Sequence, residues 1–179
     1  MDRLEECIEA KALREPGSSQ HVDDIAMTRR VEAIHYCLEH DDGTKIDGYD
    51  RADIILLGVS RTGKTPVSVY LATQMGLKTA NFPLTSEYLE QYKLPAAIHS
   101  NIKQVVGLTT TGEHLHSARE KRYPGSKYAR LTTCREEIRQ AQQILSKNQI
   151  PVVSTAGRSI EEIAIQVLQE LGISKNILR

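Results

Sequence analysis

The chain has 179 residues, enough for one domain with a sizeable core, or one domain with a helical arm. Lys plus Arg equals Asp plus Glu at 23 each; this neutrality excludes a general nucleic-acid binder, which would be basic, and makes any anion site local. Hydrophobic residues are 40% of the chain with one Phe and no Trp, so the core must be aliphatic, as in an ordinary soluble globular protein.

In chain order, residues 3–14 read as a short helix that Pro16-Gly17-Ser18-Ser19 ends. A second helix is predicted over about 22–39, with Ile25, Ala26, Val31, Ile34, Cys37 and Leu38 on one face. His40-Asp41-Asp42-Gly43 then opens a polar loop to Arg51. The apolar run from Ala52 to Val59, bounded by turn signals, reads as a buried parallel strand. Lys64 to Met75 is predicted as a helix, with Pro66 in its first turn and Gly76 stopping it. Further strands are expected at Leu77–Phe82, Gln104–Thr109 and Ile150–Ser154, and helices at about 112–122 and 133–147. Ser159-Ile160-Glu161-Glu162 is a capping box for a last helix to about Leu171. This alternation implies an α/β fold. The predicted architecture is a P-loop kinase-like sandwich, its mostly parallel sheet flanked by helices, with an N-terminal helical segment. Expected boundaries are 1–43 for the helical segment and 44–179 for a phosphotransferase domain.

Residues 58–65, Gly58-Val59-Ser60-Arg61-Thr62-Gly63-Lys64-Thr65, match the pattern G-x-x-x-x-G-K-[ST] at every fixed position. The glycines let the backbone fold around a phosphate with N–H groups facing it, and the helix that follows adds positive partial charge. Lys64 is expected to reach the terminal phosphate oxygens, and Thr65 to hold Mg²⁺ through its hydroxyl. The bland alternative is a Gly-rich turn with an exposed lysine. Arg61 would place a second cation in the loop. No later strand ends in a carboxylate, so a motor or switch NTPase is not expected and a phosphotransferase fits better.

The carboxylate such chemistry uses must then come from elsewhere, and Asp41-Asp42-Gly43 is the candidate. A solvated turn is the competing reading, since Asp-Gly pairs form turns readily. Arg119, Arg122 and Lys127 lie around Pro124-Gly125; they read equally as a basic lid over transferring phosphates or as an exposed helix end. His114 and His116, two apart, fall on different helix faces and do not suggest a metal pair. Cys7, Cys37 and Cys134 have no metal spacing, and their odd number fits a reducing compartment. With no apolar span of membrane length, and Met1 leading into Asp-Arg-Leu-Glu-Glu, a cytoplasmic protein without membrane association is expected. Oligomeric state, monomer or homo-oligomer, is left open.

Residues 58–72, Gly-Val-Ser-Arg-Thr-Gly-Lys-Thr-Pro-x-Ser-x-Tyr-Leu-Ala, resemble the signature of the bifunctional regulatory proteins of phosphoenolpyruvate synthase and pyruvate, phosphate dikinase. Similar segments are Arg30–Ile34, His40–Gly43, Ala80–Leu84, Gly107–Thr109, Ser126–Ala129 and Ser159–Ala164. The resemblance implies an ADP-dependent kinase that phosphorylates a threonine of the dikinase. It also implies the reverse activity, which takes inorganic phosphate and releases pyrophosphate. It carries ADP binding onto Gly58–Thr65 and strengthens the functional reading of Asp41 and Asp42. Members of this family carry a further N-terminal domain with an Asp-Gly-Thr-Gly motif, so residues 1–43 read as a remnant of, or link to, such a domain. Thr73–Asn81 and Lys93-Leu94-Pro95 resemble the synthase-regulating branch more than the pyruvate, phosphate dikinase branch. The competing functions are an ATP-dependent small-molecule kinase and a non-catalytic nucleotide-binding module.

Overall fold

The computed structural model describes residues 18–173. Four strands, β1 (Ile54–Gly58), β2 (Thr79–Pro83), β3 (Val105–Thr109) and β4 (Val152–Ser154), form one sheet in the order β2-β1-β3-β4. All three pairings are parallel, with Ile54 opposite Thr79, Leu57 opposite Gly107 and Leu108 opposite Val153. The expected α/β fold with a parallel sheet is therefore observed, and β1 lies in the interior of the sheet.

β1 is apolar at successive positions because both of its faces are covered. Ile55 and Leu57 pack in one core with Phe82, Val105 and residues Ile138 and Ile144 of helix α6 (Leu131–Lys147). Ile54 and Leu56 pack in the other, with Val67 and Leu71 of α2 (Lys64–Met75) and Ile163 and Val167 of α7 (Ile160–Glu170). Each such buried side chain contributes about 1.5–3 kcal/mol. The strand is thereby rigidly anchored, and the loop that leaves its end starts from a fixed point.

Helix α1 spans Ser18–Glu39 and packs along α2. Its buried stripe matches the expected one only in part: Cys37 is buried and Ile34 packs beside it, together with Ala33, Tyr36 and the following His40, whereas Ile25, Val31 and Leu38 are exposed. Ala33 and Cys37 meet Ala72 of α2. Small residues give the close approach, which turns the larger apolar positions outward. The expected helix at 3–14 lies outside the described residues.

Helix α2 has the bounds expected, and other boundaries moved by one or two residues. β2 begins at Thr79 rather than Leu77, because Gly76 caps α2 in the left-handed region and Leu77 drops into the core beside it. Helix α5 is Gly112–Glu120. Two short helices, α3 (Ser86–Gln91) and α4 (Ala96–Ser100), fill the β2–β3 connection, where none was expected. The Ser159 capping box is present, with both reciprocal bonds made. No helix among the described residues is long and apolar enough to cross a membrane.

Candidate functional site

The loop between β1 and α2 is shaped by its glycines. A Cβ on Gly58 would meet the Leu108 carbonyl at 2.6 Å, so only glycine lets β1 approach β3 this closely. Gly63 has φ +90, a conformation costly for other residues, and directly precedes the first turn of α2. Thr62 Oγ1 donates to the Val59 carbonyl at 2.9 Å and pins the loop from within. The backbone N–H groups of Arg61 to Thr65 have no protein acceptor among the described residues. They lie beside the N-terminus of a twelve-residue helix, the arrangement that suits an anion.

Lys64 is 5% exposed, and its Nζ donates to the Val59 carbonyl at 3.1 Å. Burial pushes its pKa down from 10.5 to about 8; Asp42 and Asp41 oppose that shift and Arg119 reinforces it. A buried lysine with one weak neutral partner is short of negative charge. Lys64, Gly63, Thr65, Ser60 and Arg61 line a cavity of about 350 Å³, and Asp41 and Asp42 line it as well.

The Asp41-Asp42-Gly43 segment, a single 3₁₀ turn after α1, reaches the loop. Thr65 Oγ1 donates to Asp41 Oδ1 at 3.0 Å. Asp42 sits at φ +51, ψ +39, in the left-handed region that Asp tolerates better than most residues. Asn81, buried in β2, holds this turn at two points: its Nδ2 donates to Asp41 Oδ1, and its Oδ1 accepts the Asp42 N–H at 2.8 Å. Tyr49 Oη in turn donates to the Asn81 carbonyl at 2.9 Å. The carboxylate of Asp42 is thereby left facing the cavity. The segment is a turn with Asp42 exposed, tied to the loop through Asp41.

The three basic residues grouped in the sequence part company. Arg122 is exposed and lines the cavity. It also lines a second cavity of about 510 Å³ that adjoins it, along with Tyr123, Ser126 and Tyr128. Lys127 lies in the Lys127–Ala129 turn, exposed and outside the residues lining either cavity. Arg119 is 0% exposed and forms a 2.6 Å ion pair with Glu137; a side chain so fixed is no arm of a lid. Asn81, Tyr128 and Glu137 went unnoticed as site residues in the sequence. An amide set between the apolar Ala80 and Phe82 of a strand was the available signal for Asn81, and nothing local marks Glu137. Among the described residues there is no cluster of three or more His, Cys, Asp or Glu side chains placed to hold a metal.

The fold and this site define an α/β protein in which an interior strand delivers a glycine-bounded, cationic loop against a pair of aspartates. The chain belongs to the kinase/pyrophosphorylase family, whose family model matches residues 1–168. It is 51% identical over 171 residues to a protein of Desulfotalea psychrophila that carries the provisional name phosphoenolpyruvate synthase regulatory protein. The match covers 96% of this chain and 63% of that relative. Proteins with the same provisional name from Laribacter hongkongensis and Paracidovorax citrulli are 41% and 49% identical, over 97% and 80% of this chain. They are matched over 64% and 53% of their own lengths, so the chain spans somewhat more than half of these curated relatives.

Proposed function

We propose that the loop 58–65 is a phosphate cradle, and that the chain carries the phosphotransfer site of an ADP-dependent threonine kinase with a phosphate-dependent reverse activity. The protein acted on is proposed to be phosphoenolpyruvate synthase. The observation that carries this reading is Lys64, a buried cation without a carboxylate partner among the described residues, beside backbone N–H groups that are also unpaired there. A diphosphate would supply the negative charge and the acceptors this loop lacks. Family membership and the names of the relatives support the same reading.

The residues fit the groups this chemistry uses. The free N–H groups and Lys64 would hold the β-phosphate of ADP, and Arg61 would add charge at the rim. Thr65 Oγ1 and Asp41, 3.0 Å apart, form an oxygen donor pair suited to Mg²⁺. When bound, that ion would neutralise part of the diphosphate charge. Asp42, exposed and lining the cavity, would accept the proton of an incoming threonine hydroxyl. In the forward direction the β-phosphoryl group leaves ADP as the threonine oxygen attacks phosphorus, giving AMP and phosphothreonine. In reverse, an oxygen of inorganic phosphate attacks the phosphothreonine phosphorus, giving pyrophosphate and free threonine. Both directions place a phosphate in the same cradle, so inorganic phosphate should compete with ADP.

The test is incubation of the chain with phosphoenolpyruvate synthase and ADP, followed by phosphothreonine mass spectrometry. ADP-dependent modification that Lys64→Ala abolishes is the expected result. Modification with ATP and not with ADP would replace this reading by that of an ordinary ATP kinase. Modification of pyruvate, phosphate dikinase and not of the synthase would move the target. Nucleotide binding without transfer to either would leave only a binding module.

A further inference from the structure

Ser60 is the third residue of the loop, and both of its side-chain and main-chain oxygens are held by residues far away in sequence. Its carbonyl accepts from Arg119 Nη2 at 3.2 Å, and its Oγ accepts from Tyr128 Oη at 2.9 Å. Arg119 also donates from Nη1 to the Tyr128 carbonyl at 3.1 Å, and its guanidinium lies 3.9 Å from the centre of the Tyr128 ring. Glu137 of α6 closes the set through its 2.6 Å bond to Arg119 Nη2. We propose that Arg119, Glu137 and Tyr128 are positioning residues that set the Ser60–Arg61 peptide so that the Arg61 N–H is presented to a bound diphosphate. This rests on the phosphate-cradle reading of the loop.

The geometry of one peptide unit carries the inference. The described chain has no cis bond, and in a trans peptide the carbonyl and the N–H point in opposite directions. A Ser60 carbonyl aimed into the buried Arg119 therefore sends the Arg61 N–H away from it, on the other side of the peptide. Arg61 has φ +75, a strained value for a residue with a side chain. Flipping the peptide would carry Arg61 to an ordinary negative φ, but it would also replace a donor by a carbonyl oxygen beside the phosphate. The clamp on Ser60 opposes that flip. Stability alone does not account for a fully buried arginine paired with the half-buried Glu137 at this place, since well-packed apolar side chains of similar volume are commonly as stabilising.

Pyrophosphate is the probe, with affinity read by calorimetry on the full chain. The amide resonance of Arg61 is followed during the same titration, and melting temperature is recorded for each variant. Wild type should bind pyrophosphate and shift the Arg61 resonance, while Lys64→Ala should not bind. Arg119→Lys keeps the charge but loses the fork, and should weaken binding about tenfold. Tyr128→Phe keeps the ring under Arg119 and loses one oxygen; it should weaken binding about threefold and reduce the Arg61 shift, with melting close to wild type. Lower melting temperatures with wild-type affinity and an unchanged Arg61 shift would make these residues merely structural and overturn the clamp alone. Should Arg119→Lys fail to fold, Tyr128→Phe decides by the same criteria. A wild-type chain that does not bind pyrophosphate would overturn the cradle itself, and the clamp with it.

Discussion

Lys64 should weaken the protein that it equips. Its pKa falls from an ordinary 10.5 to about 8 because burial penalises the charged form. That difference corresponds to about 3 kcal/mol of destabilisation at neutral pH. The sign follows from proton binding. Between pH 8 and 10.5 the unfolded chain holds this proton more tightly than the folded one, so the penalty is full below the folded value and fades as pH rises to the unfolded value. Lys64→Met keeps the length and apolar volume and removes the charge. The Val59 carbonyl it leaves still accepts from Thr62 Oγ1, so no buried acceptor is orphaned. The variant should therefore be more stable by about 2–3 kcal/mol at pH 7, a rise in Tm of about 4–10 °C for a chain of this size. It should also lose pyrophosphate affinity. Thermal and urea unfolding of both proteins at pH 7 and at pH 10 would measure this, and the gap should nearly close at the higher pH. A variant that melts at or below wild type at pH 7, or a gap of equal size at both pH values, would refute the electrostatic account of Lys64.

Thr65→Ala removes the hydroxyl that meets Asp41 and should lower the Mg²⁺-dependent rate in both directions, at least tenfold, with little change in melting; steady-state kinetics at varied Mg²⁺ would check it. Asn81→Ala leaves the Asp42 N–H unpaired and frees the aspartate turn, so it should cost about 1–3 kcal/mol in urea unfolding and reduce turnover as well. Arg122→Gln should lower the transfer rate more than ADP affinity if the exposed guanidinium acts on charge developing during transfer; equal losses in both would indicate simple ground-state binding, and no change would return Arg122 to the solvated surface.

The loop stood out in the sequence because it matches fixed residue types at fixed spacing over eight positions. The strand before it was legible because two cores leave no polar alternation at Ile54–Leu57. Asp41 and Asp42 could be named as candidates, but only the fold brings Asp41 to Thr65, across 24 residues of chain. Arg119 illustrates the limit of local reading. It stands in a basic run that includes Lys121 and Arg122 and looks no different from them, yet it alone is buried, because Glu137 on another helix receives it. Helix α1 itself was legible, but part of its buried face was not, because size and not hydrophobicity alone decides which stripe lies against a close neighbour. Ala33 and Cys37 fit where Leu38 does not.

The acid that meets Thr65 comes before the glycine-bounded loop in chain order, from the turn that follows α1, and not from a strand that comes after it. None of β2, β3 or β4 contains a carboxylate. A search template that demands glycine-rich loop first and aspartate second will pass over chains built this way. One that asks only for a hydroxyl and a carboxylate meeting at the head of a helix, whatever their order, will recover them, and will group proteins by the chemistry of their sites rather than by the route the backbone takes to reach it.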